Sequence, residues 1–283
     1  MVGSGLPPSL DGDAGITTGT LRDLAPHGAS ILDEHQLMLV TKGHGTHEVD
    51  FEVHQCRPGT LVWANPGQLV RPGGQPGLDA TLLCWRPGPD LPDAGPTYRQ
   101  LAGEDEDAVI NEVSQLVVDC ERELAPQLLR QQLATLLLRV RLLGAESADG
   151  TADETFARFR EEVERGYAGS RRVEDYADRL DCCVRTLTRA SLAATGRTAK
   201  QVIDDRVTLE AKRLLAGTDL PVAEIGRRLG FPEPTNFGRF FQREAGVSPG
   251  TFRQEWTGTA EPAWRPVPAP RPPLDPVPGF VQA

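Results

Sequence analysis

Three histidines, His44, His47 and His54, lie close together in the first quarter of the chain, and imidazoles so grouped are the residue type that ligates iron, manganese or zinc. Their spacing argues against that chemistry. Two imidazoles ligating from one strand need an H-x-H spacing, which puts both rings on the same face. Here His44 and His47 are three apart, so they face opposite sides of an extended strand, and no histidine follows His54. The five cysteines, Cys56, Cys84, Cys120, Cys182 and Cys183, are odd in number and contain no C-x-x-C pair, so neither a zinc site nor a disulfide framework follows. No catalytic residue, metal or cofactor is assigned, and reduced thiols are expected.

The other chemistry-bearing residues lie between Val173 and Arg253, inside an internal repeat. Val173 to Leu180, a short turn and Arg185 to Gly196 correspond to Val222 to Leu229, a turn and Asn236 to Gly246, with Val173/Val222 and Leu180/Leu229 offset by 49 positions and Arg189/Arg239 and Gly196/Gly246 by 50. Each half has an apolar-striped helix, a small residue in its middle (Ala177 or Gly226), a tight turn and a second helix with a polar outer face. These are the ingredients of a helix-turn-helix unit. Pro221 suits a helix start, and Gly196 and Gly246 suit left-handed helix ends. Between the halves, Ala199 to Leu215 reads as one amphipathic helix on Val202, Ile203, Val207, Ala211, Leu214 and Leu215, long enough to hold the two units rigidly.

The elements upstream differ in period. Leu37 to Thr41, His47 to Val53, Leu61 to Trp63 and Ala80 to Trp85 read as strands, separated by turns at Gly43-His44-Gly45, Arg57-Pro58-Gly59 and Pro66-Gly67. Short strands so punctuated predict an antiparallel sandwich or barrel, closed by the Pro/Gly-rich bridge Pro87 to Pro96. From Glu104 to Leu143 the pattern is helical, with one stripe on Val109, Ile110, Val113, Leu116, Val117 and Cys120 and another on Leu129, Leu133, Leu136, Leu137 and Val140, broken near Ala125-Pro126. Those stripes must bury against the β domain, each other or a second copy, and dimerisation is the expectation taken. Gly144 to Gly150 reads as a loop, and Glu154 to Gly166 as a helix turning Phe156, Phe159 and Val163 inward. The expected division is 1–96 for a sensor domain, 97–150 for a helical connector, 151–256 for a helix-turn-helix domain and 257–283 for a proline-rich disordered tail.

Charge is distributed unevenly along the chain. The formal net charge is −10, yet Ser170 to Trp256 carries 15 Lys/Arg against 12 Asp/Glu, while the remainder carries 15 against 28. A positively biased segment inside an acidic chain suits contact with a polyanion. No run approaches the ~20 apolar residues that span a bilayer, and Met1 to Leu10 lacks the basic start and apolar stretch of a signal peptide. A cytoplasmic protein without a membrane partner is expected.

The repeat resembles the DNA-binding domain of the AraC (arabinose-operon regulator) family. The residues that carry this are Arg185-Thr-Leu187-Thr-Arg189, Ala194-Thr195-Gly196, Ala211-Lys212-Arg213-Leu214-Leu215, Ile225 to Gly230-Phe231, Asn236-Phe237-Gly-Arg239-Phe240-Phe241, Gly246-Val-Ser248-Pro249 and Phe252-Arg253. The resemblance implies that one helix from each half enters successive major-groove faces, with base-edge contacts from Arg185, Thr188 and Arg189 in the first and Thr235, Asn236 and Arg239 in the second. Arg can hold guanine O6 and N7, and Asn adenine N6 and N7. Three departures stand out: Cys183 where the family often has a serine cap, Ser191 at a usually large apolar position, and Pro234 at a commonly polar one. A vicinal Cys182-Cys183 pair at a helix start also raises the idea of a redox sensor, weighed against the commoner small buried thiol. Upstream, His35 through Gly43, Val49-Asp50, Pro58-Gly59 and Pro66-Gly67-Gln68 resemble the cupin-like effector domain of the same family, with Val70 replacing a frequent histidine.

The expected fold is α+β: an N-terminal cupin-like β-barrel, a helical connector and a C-terminal all-α domain with two helix-turn-helix units. The expected function is sequence-specific transcriptional regulation, in which an unknown small-molecule effector alters affinity for double-stranded operator DNA, with a homodimer and RNA polymerase as further partners. A metal-dependent cupin enzyme, or a DNA-binding protein without an effector, are the alternatives.

Overall fold

The computed structural model describes residues 15–21, 28–73, 77–92, 95, 97–145 and 154–257. The proline-rich tail expected after Trp256 lies, beyond Thr257, outside the described residues, as does most of the loop expected at Gly144 to Gly150. Among the described residues, nine strands form the first domain: β1 (Ile16–Thr20), β2 (Ser30–Ile31), β3 (His35–Lys42), β4 (Gly45–Val49), β5 (Glu52–Cys56), β6 (Thr60–Ala64), β7 (Leu69–Pro72), β8 (Asp79–Trp85) and β9 (Tyr98–Gln100). They make two antiparallel sheets, one in the order β1-β8-β3-β6-β9 and the other β2-β7-β4-β5. Sequence reading missed β1, β2, β7 and β9, of which β1, β2 and β9 are sheet edges and β7 is an interior strand of only four residues.

The five-stranded sheet is buried on both faces. Met38, Val40, Val62, Ala64, Ala80 and Leu82 pack toward the four-stranded sheet, while Leu37, Leu39, Leu61, Trp63, Leu83 and Trp85 pack outward. Double burial is why these strands appear in the sequence as unbroken apolar runs and not as alternations. The outer face is covered by α1 (Gly103–Glu121) and α2 (Pro126–Ala145), whose Val109, Val113, Leu116, Leu129, Leu133, Leu136, Leu137 and Val140 join the same cluster. Buried Asp119 of α1 accepts hydrogen bonds from the Gln115 (2.9 Å) and Gln132 (2.7 Å) side-chain amides, and those bonds hold its carboxyl below its ordinary range. The leucine stripes expected to reach a second copy are therefore occupied within the chain.

The stretch His47 to Val53, expected as one strand, is instead a hairpin. Asp50 (φ 50) and Phe51 (φ 72) both take left-handed backbone between β4 and β5, a tight-turn geometry. Asp tolerates it, but a bulky residue there is unusual and costs about 1–3 kcal/mol unless its surroundings hold it.

The surroundings belong to the second domain, which comprises α3 (Glu154–Gly166), α4 (Val173–Arg179), α5 (Val184–Thr195), α6 (Ala199–Gly217), α7 (Val222–Arg228), α8 (Pro234–Ala245) and α9 (Pro249–Thr257). Phe51 packs edge-on against Trp256 (ring centroids 4.6 Å apart) and Phe252 (5.7 Å) of α9. Beside it, the Asp50 carboxylate receives both Nε (2.8 Å) and Nη2 (2.6 Å) of Arg213 on α6. The same carboxylate accepts the Leu69 N–H (3.0 Å) and the Gln68 amide (2.6 Å), so its lone pairs are well used. Arg71, bonded through Nε to Glu48 (2.8 Å), lies over the Trp256 ring at 4.2 Å. The end of α6 also lies against β2 and β7, where a Cβ on Gly217 would stand 2.6 Å from Ile31 Cγ1.

Removing one partner of a largely desolvated ion pair leaves the other charge uncompensated, typically at roughly 3–5 kcal/mol. With side-chain exposures of only 10% for Arg213 and 12% for Asp50, Arg213→Ala is expected to destabilise the chain toward the lower end of that range in urea unfolding. The double variant Asp50→Asn, Arg213→Met should recover part of the loss. Strictly additive effects of the separate and combined changes would show that the pair does not join the domains.

Candidate DNA-reading surface and sensor seam

The two helix-turn-helix units are α4–α5 and α7–α8, and both pack on α6, whose Ala199, Ile203, Val207, Ala211 and Leu215 are wholly buried. In the second unit α7 meets α8 so closely that a Cβ on Gly226 would lie 3.0 Å from Phe237 Cβ, which is why that mid-helix position is glycine. Gly196 (φ 69) and Gly246 (φ 80) end α5 and α8 in left-handed backbone. Pro221 stands at the N-cap of α7, one position before the helix. α6 opens on a capping box in which the Thr198 side chain and Gln201 bond reciprocally. At the far end of α6, Arg253 donates to the Leu215 (3.2 Å) and Leu220 (2.6 Å) carbonyls, tying α9 to the C-terminal end of α6.

Arg185, Thr188 and Arg189 fall on α5, and Thr235, Asn236 and Arg239 on α8. All are exposed except Thr188, which is half-buried. Several other cations of the domain are ion-paired. Arg197 pairs with Asp205, Arg206 with Glu164 and Glu210, Arg227 and Arg228 with Glu224, and Arg243 with Glu244. Arg185, Arg189 and Arg239 have no carboxylate partner among the described residues. Neither α5 nor α8 carries an acidic residue in its first turn, and neither N-cap residue, Cys183 or Glu233, makes a side-chain cap bond. The first-turn N–H groups of both helices thus lack side-chain caps, the condition under which a helix start attracts phosphate.

The departures noted in the sequence have local explanations. Ser191 is fully buried, and its hydroxyl donates to the Leu187 carbonyl one turn back (2.8 Å), which satisfies the polar atom in an apolar place. Pro234 occupies the first turn of α8, where its missing N–H costs nothing. Cys183 Sγ lies 3.2 Å from Thr186 Oγ1, and that contact holds the exposed thiol below its ordinary pKa, whereas desolvation raises Cys182. Burial likewise raises Cys56, to about 11, and Cys84.

In the β domain, pairing across the hairpin puts His47 directly opposite His54 on one face, a relation that sequence separation alone could not reveal. His47 is 1% exposed, and both of its ring nitrogens, together with His54 Nε2, have no hydrogen-bond partner among the described residues. Burial first, and His54 second, lower the His47 pKa to about 4, so the ring is neutral near pH 7. His54 stacks on Tyr98 of β9, centroids 5.0 Å apart and planes 11° off parallel. A cavity of about 400 Å³ opens beside this stack, along the seam where the edge strands β5 and β9 approach, and His44 lies in its lining. No three His, Cys, Asp or Glu side chains come together as a metal-ligand set among the described residues, and no helix among them is long and apolar enough to cross a membrane.

Sequence reasoning did not find Asp50, Phe51 and Arg213 as a unit. The available signal was the cation of Arg213, which stands between Ala211 and Leu215 of the buried α6 stripe.

Comparison with known proteins agrees with this division of labour. Residues 176–255 match the family described as a helix-turn-helix domain, and residues 20–91 match the AraC-like ligand binding domain. The HTH-type transcriptional activator RhaR of Cronobacter sakazakii is 30% identical over 88 residues, covering 31% of this chain and 31% of that protein. The arabinose operon regulatory protein of Escherichia coli is 42% identical over 50 residues, covering 18% and 17%. The chain spans less than half of the length of the curated relatives it matches. Among solved structures, fatty-acid-bound ToxT from Vibrio cholerae aligns over 87% of this chain and 97% of its own at 11% identity, with a TM-score of 0.46. Two matching domains in the order ligand-binding then helix-turn-helix, together more than half of the residues, are decisive: the chain belongs to the AraC family of helix-turn-helix transcriptional regulators, with an AraC-like ligand-binding domain at its N-terminal end.

Proposed function

We propose that the chain binds operator DNA sequence-specifically through α5 and α8 and that a small-molecule effector in the β domain changes this affinity. One observation carries the first half: two similar helices, each presenting exposed arginines without carboxylate partners, are fixed to opposite parts of one buried helix. That helix, α6, has 19 residues and is about 28 Å long at 1.5 Å per residue. Successive major-groove faces lie roughly 34 Å apart, so a connector of this size suits both units to one side of a duplex. Arg185, Thr188, Arg189, Thr235, Asn236 and Arg239 are the proposed base-reading residues, and the first turns of α5 and α8 the proposed phosphate contacts. A cytoplasmic location follows from access to DNA.

The second half rests on the Asp50–Arg213 contact, which joins the sensor to the helix between the two reading units, and on the Phe51–Trp256 contact, which joins it to α9. An effector that displaces the hairpin acts on α6 directly. The residue ranges 1–96, 97–150 and 151–256 serve as the sensor, connector and DNA-binding parts in this reading.

Arg189→Ala and Arg239→Ala are each expected to relax discrimination at one or two base pairs, by about 1–3 kcal/mol per lost bidentate contact, in fluorescence anisotropy against genomic fragments and their single-base variants. Uniform loss across all sequences would assign both residues to phosphates instead.

Homodimerisation is the remaining part of the proposal, and it moves from the buried leucine stripes to a different face of α2. Leu138 and Leu142, one turn apart, are 53% and 69% exposed, an apolar pair that a second copy of α2 would cover. Leu138→Glu, Leu142→Glu is expected to turn a dimer into a monomer in sedimentation velocity and to weaken operator binding; an unchanged mass would remove the assignment. A promoter fusion read with and without the protein gives the sign of regulation, and contact with RNA polymerase belongs to the proposal only if that sign is activation.

A further inference from the structure

The inward face of α5 is set by Leu187, Ala190 and Ser191, all buried. Val184, Arg185, Thr188, Arg189 and Leu192 lie outside that face, and Val184, Thr188 and Leu192, four positions apart, stand above one another in a single row. Val184 is 37% and Leu192 46% exposed, and they are the only large apolar side chains so exposed among the described residues of the helical domain. One scattered exposed apolar residue is ordinary. Here both stand in the same row of the same helix, beside Arg185 and Arg189, which have no carboxylate partner among the described residues. The second unit has no counterpart: fifty positions on, α8 carries Pro234, Gly238 and Gln242.

We infer that the row Val184–Thr188–Leu192 reads thymine C5-methyl groups in the major groove, so that α5 selects thymines next to the bases its arginines hold while α8 does not. The two kinds of side chain on this face define the target together. Unpaired arginines favour a polyanion and oppose a second copy of the same helix, whereas the valine, the leucine and the threonine methyl need an apolar group to cover them. The base edges of the major groove offer one apolar group, the thymine methyl, and short apolar side chains and threonine methyls are suited to it. At 1.5 Å per residue, Val184 and Leu192 lie about 12 Å apart along the helix, a stretch short enough to stay within a groove roughly 12 Å wide. The inference rests on the proposed base reading by α5 and adds the chemical group that is read.

The test uses the full chain and the tightest-binding duplex selected from a random library, with each thymine replaced in turn by deoxyuridine, which deletes only the methyl group. In fluorescence anisotropy at fixed salt, one or more replacements next to the base pair whose discrimination depends on Arg189 are expected to weaken binding about fourfold, the effect of one buried hydrocarbon group. With Val184→Ala or Leu192→Ala the same replacement should no longer matter, and both variants should keep the thermal midpoint of the parent chain because the side chains are exposed. Affinities that no replacement changes would overturn the inference, as would penalties that survive in both variants or that lie only next to the base pairs read by Arg239. A fall in mass of the DNA-free chain on Leu192→Ala, in sedimentation velocity, would also overturn it by giving the row to a second copy. A selection that yields no preferred duplex overturns the base-reading proposal together with this inference, whereas a preference indifferent to methyl removal overturns the inference alone.

Discussion

The apolar spine of α6 is the constraint that arranges the C-terminal half. A helix with Ala199, Ile203, Val207, Ala211 and Leu215 all fully buried must be covered along its length, and α4, α5, α7, α8 and α9 share that task. Packing at a solid-like interior density leaves such a helix little freedom to bend or roll. The relation between α5 and α8 is therefore a property of one buried element, and their outward faces inherit its rigidity. Small residues at the contacts, above all Gly226 beneath Phe237, set how near the flanking helices come.

Arg213 breaks the logic of that spine, since it is a largely buried cation on the same helix. Its charge is met by Glu210 on the same helix and, bidentately, by Asp50 from outside the domain, and the left-handed hairpin tip is held both by that contact and by the Gln68 and Leu69 bonds to Asp50 within its own domain. Neither side of this contact makes physical sense alone: a bulky Phe51 in left-handed backbone lacks support without α9, and Arg213 lacks its bidentate acceptor without the hairpin. The two domains are joined by a directional, charge-assisted contact bordered by aromatic rings, not by a broad greasy face.

Much of the architecture was legible in the residues themselves. The paired helix-turn-helix units announced themselves through a repeat of nearly constant offset, because each unit needs the same small residue, turn and glycine end. The long helices α1, α2 and α6 were visible from period alone. The β domain was legible as a class but not in detail, since β2 and β9 are too short to show alternation. The hairpin was hidden: His47 to Val53 alternates like a strand, and nothing local marks Asp50-Phe51 as a turn, which tertiary contact imposes. The six side chains expected to read bases do lie on α5 and α8, but the facing of His47 and His54, and the seam beside them, depend on strand register, which the sequence does not display.

Placement of the anchor on α6 bears on what kind of control this molecule can exert. A torque applied at Arg213 acts on the axle between two grips and leaves the surface of each grip intact. Regulation of that type alters how well both helices engage at once, so it would change the tolerated phase between two adjacent half-contacts on the duplex more than the letters that either one recognises.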